Sequence, residues 1–162
     1  MDEVPAGLWL SAGQQRSWRA YLMGTTLLLD RLDDELRRSC DLSLTEYEVL
    51  VRLSESEGRR MRMAQLADAL ALSRSRMTHT ITRMETAGLV QRFRTPEDRR
   101  GIVTEMTDAG WDLLTRVAPV HVAGVRTHLV DLASDDDLEA LGRVMNSVAD
   151  HLVPDHPARE MR

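Results

Sequence analysis

Between Ser73 and Gly88 the chain carries a helix that is apolar on one side only, and beyond it the period of the pattern changes. Ser73 is a good N-cap, and Gly88 suits the position just past a helix end. Between them Met77, Ile81 and Met84 form an inward stripe at helical spacing. At about 100° per residue, Ser75, His79, Thr82 and Thr86 fall on the opposite side, flanked by Arg76 and Arg83. None of these six is apolar. Upstream, across only Ala71 and Leu72, lies a shorter helix, roughly Met63–Leu70, with Leu66, Ala67 and Leu70 inward. Downstream, Leu89–Arg94 and Ile102–Met106 read as short strands around a polar loop, Thr95–Gly101. A short helix, a tight turn, a helix with a basic outer face and a β-hairpin make a winged helix-turn-helix.

The flanks are helical. From Ser11 to Arg38 the residues Trp18, Leu22, Thr25, Leu29, Leu32 and Leu36 recur at alternating four- and three-residue steps, a seam longer than one small lobe needs. After the break at Asp41–Leu44, Thr45 and Glu48 have the capping-box form, predicting a helix through Leu53. Glu55–Arg62 reads as a polar connection. Thr107 or Asp108 caps a long helix that Pro119 should kink. Ser134, followed by three aspartates, starts a last helix whose stripe is Leu138, Leu141, Met145, Val148 and Leu152. The two long seams exceed what one lobe can cover and predict a dimer. The expected class is mainly α with a small β-wing. It divides into an N-terminal dimerisation helix (1–42), a DNA-binding winged helix-turn-helix (43–107), C-terminal dimerisation helices (108–153) and a flexible tail (154–162).

Charge agrees with this division. The whole chain is at −5, but residues 59–100 hold ten arginines against four acids, a net +6. The remainder holds 11 arginines against 22 acids, a net −11. A local basic footprint governs phosphate binding more than the total does. All 21 basic residues are arginine, whose rigid donor fork suits phosphate and guanine.

A helix of this kind can enter the major groove with its N-terminal residues against base edges. Arg76 and Arg83 are the candidates for guanine. Ser75, Thr78 and His79 are candidates for bases or phosphate, with Ser73, Arg74 and Thr82 completing the face, and the amides behind Ser73 can hold a phosphate. On an isolated helix the same arginines would be an ordinary solvated face; the preceding helix, the two-residue turn and the hairpin give them weight. At the hairpin tip Arg99 and Arg100 lie where a wing reaches the minor groove, which favours arginine. Asp98, a poor DNA contact, is assigned to bracing the loop or a neighbouring Arg.

The stretch from Met61 to Gly110 resembles the winged-helix core of the multiple-antibiotic-resistance regulator (MarR) family. Leu66-Ala67, Ser73, Met84-Glu85, Gly88-Leu89-Val90 and Arg92 stand in the family's order, followed by Asp98 with Arg100, Thr107 and Gly110. The flanking layout also fits, with Leu44–Leu50 after a long helix and two helices at the C-terminus. Met106 stands where Leu is more usual, a swap neutral for packing. The resemblance implies a homodimer held by the N- and C-terminal helices, a pseudo-palindromic operator in double-stranded DNA, and repression relieved by a small molecule. It carries the recognition helix to Ser73–Ala87, the wing arginine to Arg100 and its supporting aspartate to Asp98.

Other residues admit two readings. Trp18 and Tyr21, three apart on the first helix, either pack a dimer core or contact an aromatic effector, with Arg16 or Arg19 for its carboxylate. His121 falls at the junction of dimerisation and DNA-binding parts that the resemblance implies, and is the third candidate for such a ligand. Cys40 has only Arg37 and Arg38 nearby to lower its pKa and reads as a passive thiol rather than a redox switch. His121 and His128 lie about 10 Å apart along a helix, too far to chelate one metal. No nucleophile–base signature, phosphate loop or dinucleotide fingerprint occurs, so neither an enzyme nor a cofactor is expected. A single cysteine, the absence of a secretory leader pattern and of any 18-residue apolar run point to the cytoplasm, with no membrane span. The rival of a different class is a helical interaction module whose basic stripe binds an acidic protein.

Overall fold

The computed structural model describes residues 9–95 and 98–152, without the side chains of 95–100. The elements in order are α1 (Ala12–Cys40), α2 (Leu44–Glu55), a 3-10 turn (Glu57–Arg59), β1 (Arg60–Arg62), α3 (Met63–Ala69), α4 (Arg74–Thr86), β2 (Val90–Thr95), β3 (Asp98–Met106), α5 (Asp108–His128), a second 3-10 turn (Val130–Leu132) and α6 (Asp135–Leu152). This is the expected mainly helical architecture with a small β-wing. The tail expected at 154–162 lies outside the described residues.

The core lies where α2, α3, α4, the sheet base and α5 meet. Leu50 and Leu53 of α2, Leu66 and Ala67 of α3, and Met77, Ile81 and Met84 of α4 are buried together with Val90, Met106 and Val117. Burying each large aliphatic side chain is worth about 1.5–3 kcal/mol, so this cluster fixes the pose of α4. Its two ends are defined by hydrogen bonds. Ser73 Oγ accepts from the Arg76 amide at 3.2 Å. At the other end Gly88, at φ 74°, donates to the Glu85 carbonyl while Leu89 donates to Met84. Only glycine takes that left-handed turn without cost.

Several expectations are corrected. The cap of α2 is Ser43, not Thr45: its Oγ accepts from the Glu46 amide at 3.3 Å, and Glu46 Oε2 accepts from the Ser43 amide at 2.9 Å. Ser43–Glu46 and Thr45–Glu48 have the same S/T-x-x-E form, and the earlier pair wins because Leu44 already joins the helix. Glu55–Arg62 is no mere connection. Its end is β1, which pairs antiparallel with β3 through Met61↔Thr104. Three residues show no period, so this strand exists only through its partner. β3 begins at Asp98 rather than Ile102, with a register shift between Arg94 and Thr95. Backbone pairing thus runs into residues whose polarity suggested a loop.

The stripe of α6 is not buried in this chain. No residue of that helix is, and Leu141, Val148 and Leu152 are exposed. The α1 seam behaves likewise: Leu32 and Leu36 are buried, whereas Trp18, Leu22 and Leu29 are exposed. The α6 stripe and the N-terminal part of the α1 seam are thus left uncovered, while the C-terminal end of that seam enters the core through Leu36. α5 runs through Pro119 as one helix.

Candidate nucleic-acid interface

The packing of Met77, Ile81 and Met84 turns the opposite side of α4 outward. Arg74, Ser75, Arg76, Thr78, His79, Thr82 and Arg83 are all exposed, as is the cap residue Ser73. The structure therefore brings the eight candidates of the cap and α4 onto one continuous surface.

Their side chains are not equally free. Arg74 donates to Asp68 Oδ2 at 3.0 Å and to the Ala64 carbonyl, which ties the start of α4 to α3. Arg83 reaches α2, where its Nη2 lies 2.9 Å from Glu46 Oε1. Glu46 is 7% exposed and already accepts from Ser43, so Arg83 supplies the charge partner of a nearly buried carboxylate. By contrast, Ser75, Arg76 and His79 have no side-chain hydrogen bond or ion pair among the described residues. Arg76 is thus the α4 arginine with its whole donor fork available.

The end of α4 is tied to the wing. Glu85 Oε1 accepts from the Arg92 amide at 3.0 Å, and Oε2 accepts from Arg92 Nε and Nη2 at 3.0 and 2.5 Å. These bonds from Arg92 hold the Glu85 carboxyl below its ordinary pKa. Two guanidinium donors on one carboxylate oxygen and the backbone amide on the other fix orientation as well as charge. Residues 98–100 belong by backbone to β3. The side chains of Asp98, Arg99 and Arg100 lie outside the described residues.

Two grooves flank α4. One, of about 640 Å³, lies between α4 and the α1–α2 junction, with Asp33, Arg37, Ser75, Arg76, His79 and Arg83 on its walls. Within it, burial pushes the Asp33 carboxyl up, but the Leu44 amide at 2.7 Å and Arg37 together hold it below the usual value. The other, of about 420 Å³, faces the wing and is lined by Arg62, Arg74, Thr78, Arg92 and Ile102 among others.

The candidate ligand residues lie elsewhere. Trp18 and Tyr21 stack on each other with ring centroids 5.8 Å apart, both exposed on α1. His121 of α5 packs on Tyr47 of α2, with centroids 4.4 Å apart, and its Nδ1 is buried without a hydrogen-bond partner. Burial pushes its pKa below the ordinary histidine value. Neither groove beside α4 is lined by any of the three. Cys40 is partly buried against the core. Among the described residues no group of three or more His, Cys, Asp or Glu is placed to hold a metal, and no helix is long and apolar enough to cross a membrane.

Sequence reasoning missed the partners of the arginines. Glu46 and Arg83 are 37 positions apart in sequence; the capping box expected at Thr45 and Glu48 leaves both roles of Glu46 unmarked. The Glu85–Arg92 spacing of seven across a turn is equally silent.

Comparison with known proteins gives consistent matches. The family model described as MarR family matches residues 42–102. The HTH-type transcriptional regulator PecS of Dickeya dadantii (strain 3937) is 30% identical over 133 residues, covering 82% of this chain and 80% of that protein. The crystal structure of Sco3205, a MarR family transcriptional regulator from Streptomyces coelicolor in complex with DNA, superposes with a TM-score of 0.89 at 39% identity, covering 95% of each chain. AbsC, a MarR family transcriptional regulator from the same organism, gives 0.86 at 44% identity, covering 91% of this chain and 99% of that one.

Proposed function

Because the chain belongs to the MarR family of transcriptional regulators, we propose that it is a homodimeric, sequence-specific DNA-binding repressor. Each protomer lays α4 in the major groove of one half of a pseudo-palindromic operator. The observation that carries the reading is the outer face of α4, which is wholly polar, basic and exposed. It is braced to α3, α2 and β2 through Asp68, Glu46 and Glu85. A reading head must hold its geometry while its donors stay free, and Arg76 meets both conditions. Sco3205 was crystallised with DNA, and the high similarity to it supports the same partner here.

In this reading residues 43–107 bind DNA, while 1–42 and 108–153 supply the dimer. Ser73, Arg74, Ser75, Thr78, His79, Thr82 and Arg83 join Arg76 along the groove. The α4 arginines held by Asp68 and Glu46 then act on phosphate and on register more than on base identity. Arg99 and Arg100 extend the wing toward the minor groove, with Asp98 as brace. A small effector, possessing an aromatic ring and an acid group, relieves repression by acting between the dimerising helices and the DNA-binding lobe, with Trp18, Tyr21 and His121 as its contacts. The protein works in the cytoplasm.

The test is fluorescence anisotropy on duplexes from upstream of its own gene, followed by footprinting of the retained fragment. The expected result is a protected, two-fold-related site bound at least an order of magnitude more tightly than random duplex. Equal affinity for both would leave a non-specific polyanion binder, and no affinity would favour an acidic protein partner for the basic face.

A further inference from the structure

Thr78, Thr82 and Thr86 stand four residues apart on α4 and are all exposed, so they form one row along its outer surface. Their hydroxyls are already engaged. Each donates to the carbonyl one turn back: to Arg74 at 2.9 Å, to Thr78 at 2.8 Å and to Thr82 at 2.9 Å. A proton given to the helix is not available to a base edge. The branched Cβ is stiff, so fixing Oγ1 also fixes the methyl in a second staggered position, away from the carbonyl that holds the hydroxyl.

The row therefore has no donor for the acceptors of guanine or for thymine O4, and what it does present is methyl surface. In the major groove only thymine offers a methyl group in return. The row also lies apart from the free guanidinium. Thr78 lines the groove on the wing side, whereas Arg76 lines the one toward α2. Thr86 ends the helix, which leaves Thr78 and Thr82 nearer the end of α4 that reaches bases.

We infer that Thr78 and Thr82 are specificity-determining residues that select thymine through its C5 methyl, on the wing side of the base contacts made by Arg76. The inference rests on the reading that α4 occupies the major groove. It differs from hydroxyl recognition, in which the threonine oxygens would accept from adenine N6 or cytosine N4.

The experiment uses the full chain. Duplexes it retains are selected from a random pool, and the thymines of the best sequence are replaced one at a time by deoxyuridine, which keeps the pairing and O4 but lacks the methyl. Removing a buried methyl should weaken binding by about fourfold at one or two positions in each half-site. Wild-type protein carries this arm, so it does not depend on any variant folding. Thr82→Val and Thr78→Val keep a methyl and should retain the preference for thymine over uracil. Thr82→Ser and Thr78→Ser keep the hydroxyl and should lose it. A selected sequence indifferent to uracil at every position overturns the inference while leaving DNA recognition intact. A preference that survives serine but disappears with valine shows that the threonine methyls are not what meets the thymine methyl and overturns it as well. Uracil losses unaltered by all four variants place the methyl contact on another residue, and a pool that yields no preferred sequence removes the DNA reading itself.

Discussion

Arg76 and Arg83 looked equivalent on the helical wheel, but only one of them has a free guanidinium. Arg83 is the ion-pair partner of the nearly buried Glu46, whereas Arg76 has no partner among the described residues. Arg76→Ala should therefore lower the ratio of operator to random-duplex affinity by about 1–3 kcal/mol, the value of a bidentate base contact. Arg83→Ala should act first on the fold. It leaves a buried acceptor short of its cation, a loss of about 1–3 kcal/mol that urea unfolding reads directly. If Arg83→Ala unfolds like wild type and Arg76→Ala keeps the full affinity ratio, these roles are wrongly divided. His121 makes a second prediction at this scale. Its folded-state pKa is depressed by burial below the ordinary value of 6.5. The unfolded chain takes the proton more readily, so the stability due to neutral His121 is complete above about pH 6.5 and is lost as pH falls through the folded-state pKa. Glu35 and Glu85, held low by their partners, titrate at lower pH. His121→Phe keeps a ring against Tyr47 and cannot titrate. Its urea midpoint should be flatter than wild type's just below pH 6.5, and parallel curves for the two proteins would refute the assignment.

At the scale of elements, two glycines set how closely helices approach their neighbours, and they differ in what surrounds them. A Cβ on Gly110 would run into the Leu89 carbonyl oxygen and sit 2.9 Å from Met106 Cγ. Backbone cannot turn aside, so Gly110→Ala should cost about 1–3 kcal/mol by forcing the start of α5 off the base of the wing. A Cβ on Gly124 would meet Glu35 Oε2 at 2.6 Å and Leu32 Cδ2 at 2.9 Å, both side-chain ends. These can move, and alanine regains about 0.5–1 kcal/mol of helix propensity, so Gly124→Ala should be close to neutral in thermal unfolding. A larger loss at Gly124 than at Gly110 would reverse the argument. Elements set by local chemistry were legible in the sequence: the Met77–Ile81–Met84 stripe, the Ser73 cap and the Gly88 stop agree with the structure. What depends on distant partners was not. β1 exists because β3 pairs with it, β3 lengthens beyond its apolar residues because β2 is there, and the choice between Ser43 and Thr45 as cap is made by where α1 delivers the chain. The polar face of α4 was readable, but which of its arginines is engaged was not, since Asp68 and Glu46 become their partners only through the packing of helices.

At the scale of the whole molecule, the unburied seams are what the proposed dimer rests on. In α1 the exposed side chains Trp18 (51%), Leu22 (46%) and Leu29 (46%) continue the line of buried Leu32 and Leu36, and in α6 Leu141, Val148 and Leu152 are 39%, 43% and 69% exposed. At about 25 cal/mol per Å² such apolar surface is costly to leave in water, and its helical periodicity suits another helix better than a flat partner. In the proposed dimer a second copy of the same two helices would supply that partner and close the assembly with two-fold symmetry. The proposed symmetry would have a consequence for DNA. In the proposed complex one protomer would carry one set of base contacts, so operator affinity would depend on both copies arriving together, on half-sites about one helical turn apart. Replacing Leu141 and Met145 together by glutamate places charge on the seam without touching the lobe that contains α4. The variant should be monomeric by light scattering at micromolar concentration and retain the helical circular dichroism of α1–α5. It should bind operator little better than random duplex, because the second half-site no longer comes with the first. A stable wild-type monomer at that concentration would remove the premise, and a monomeric variant with wild-type operator affinity would show that a single recognition helix suffices.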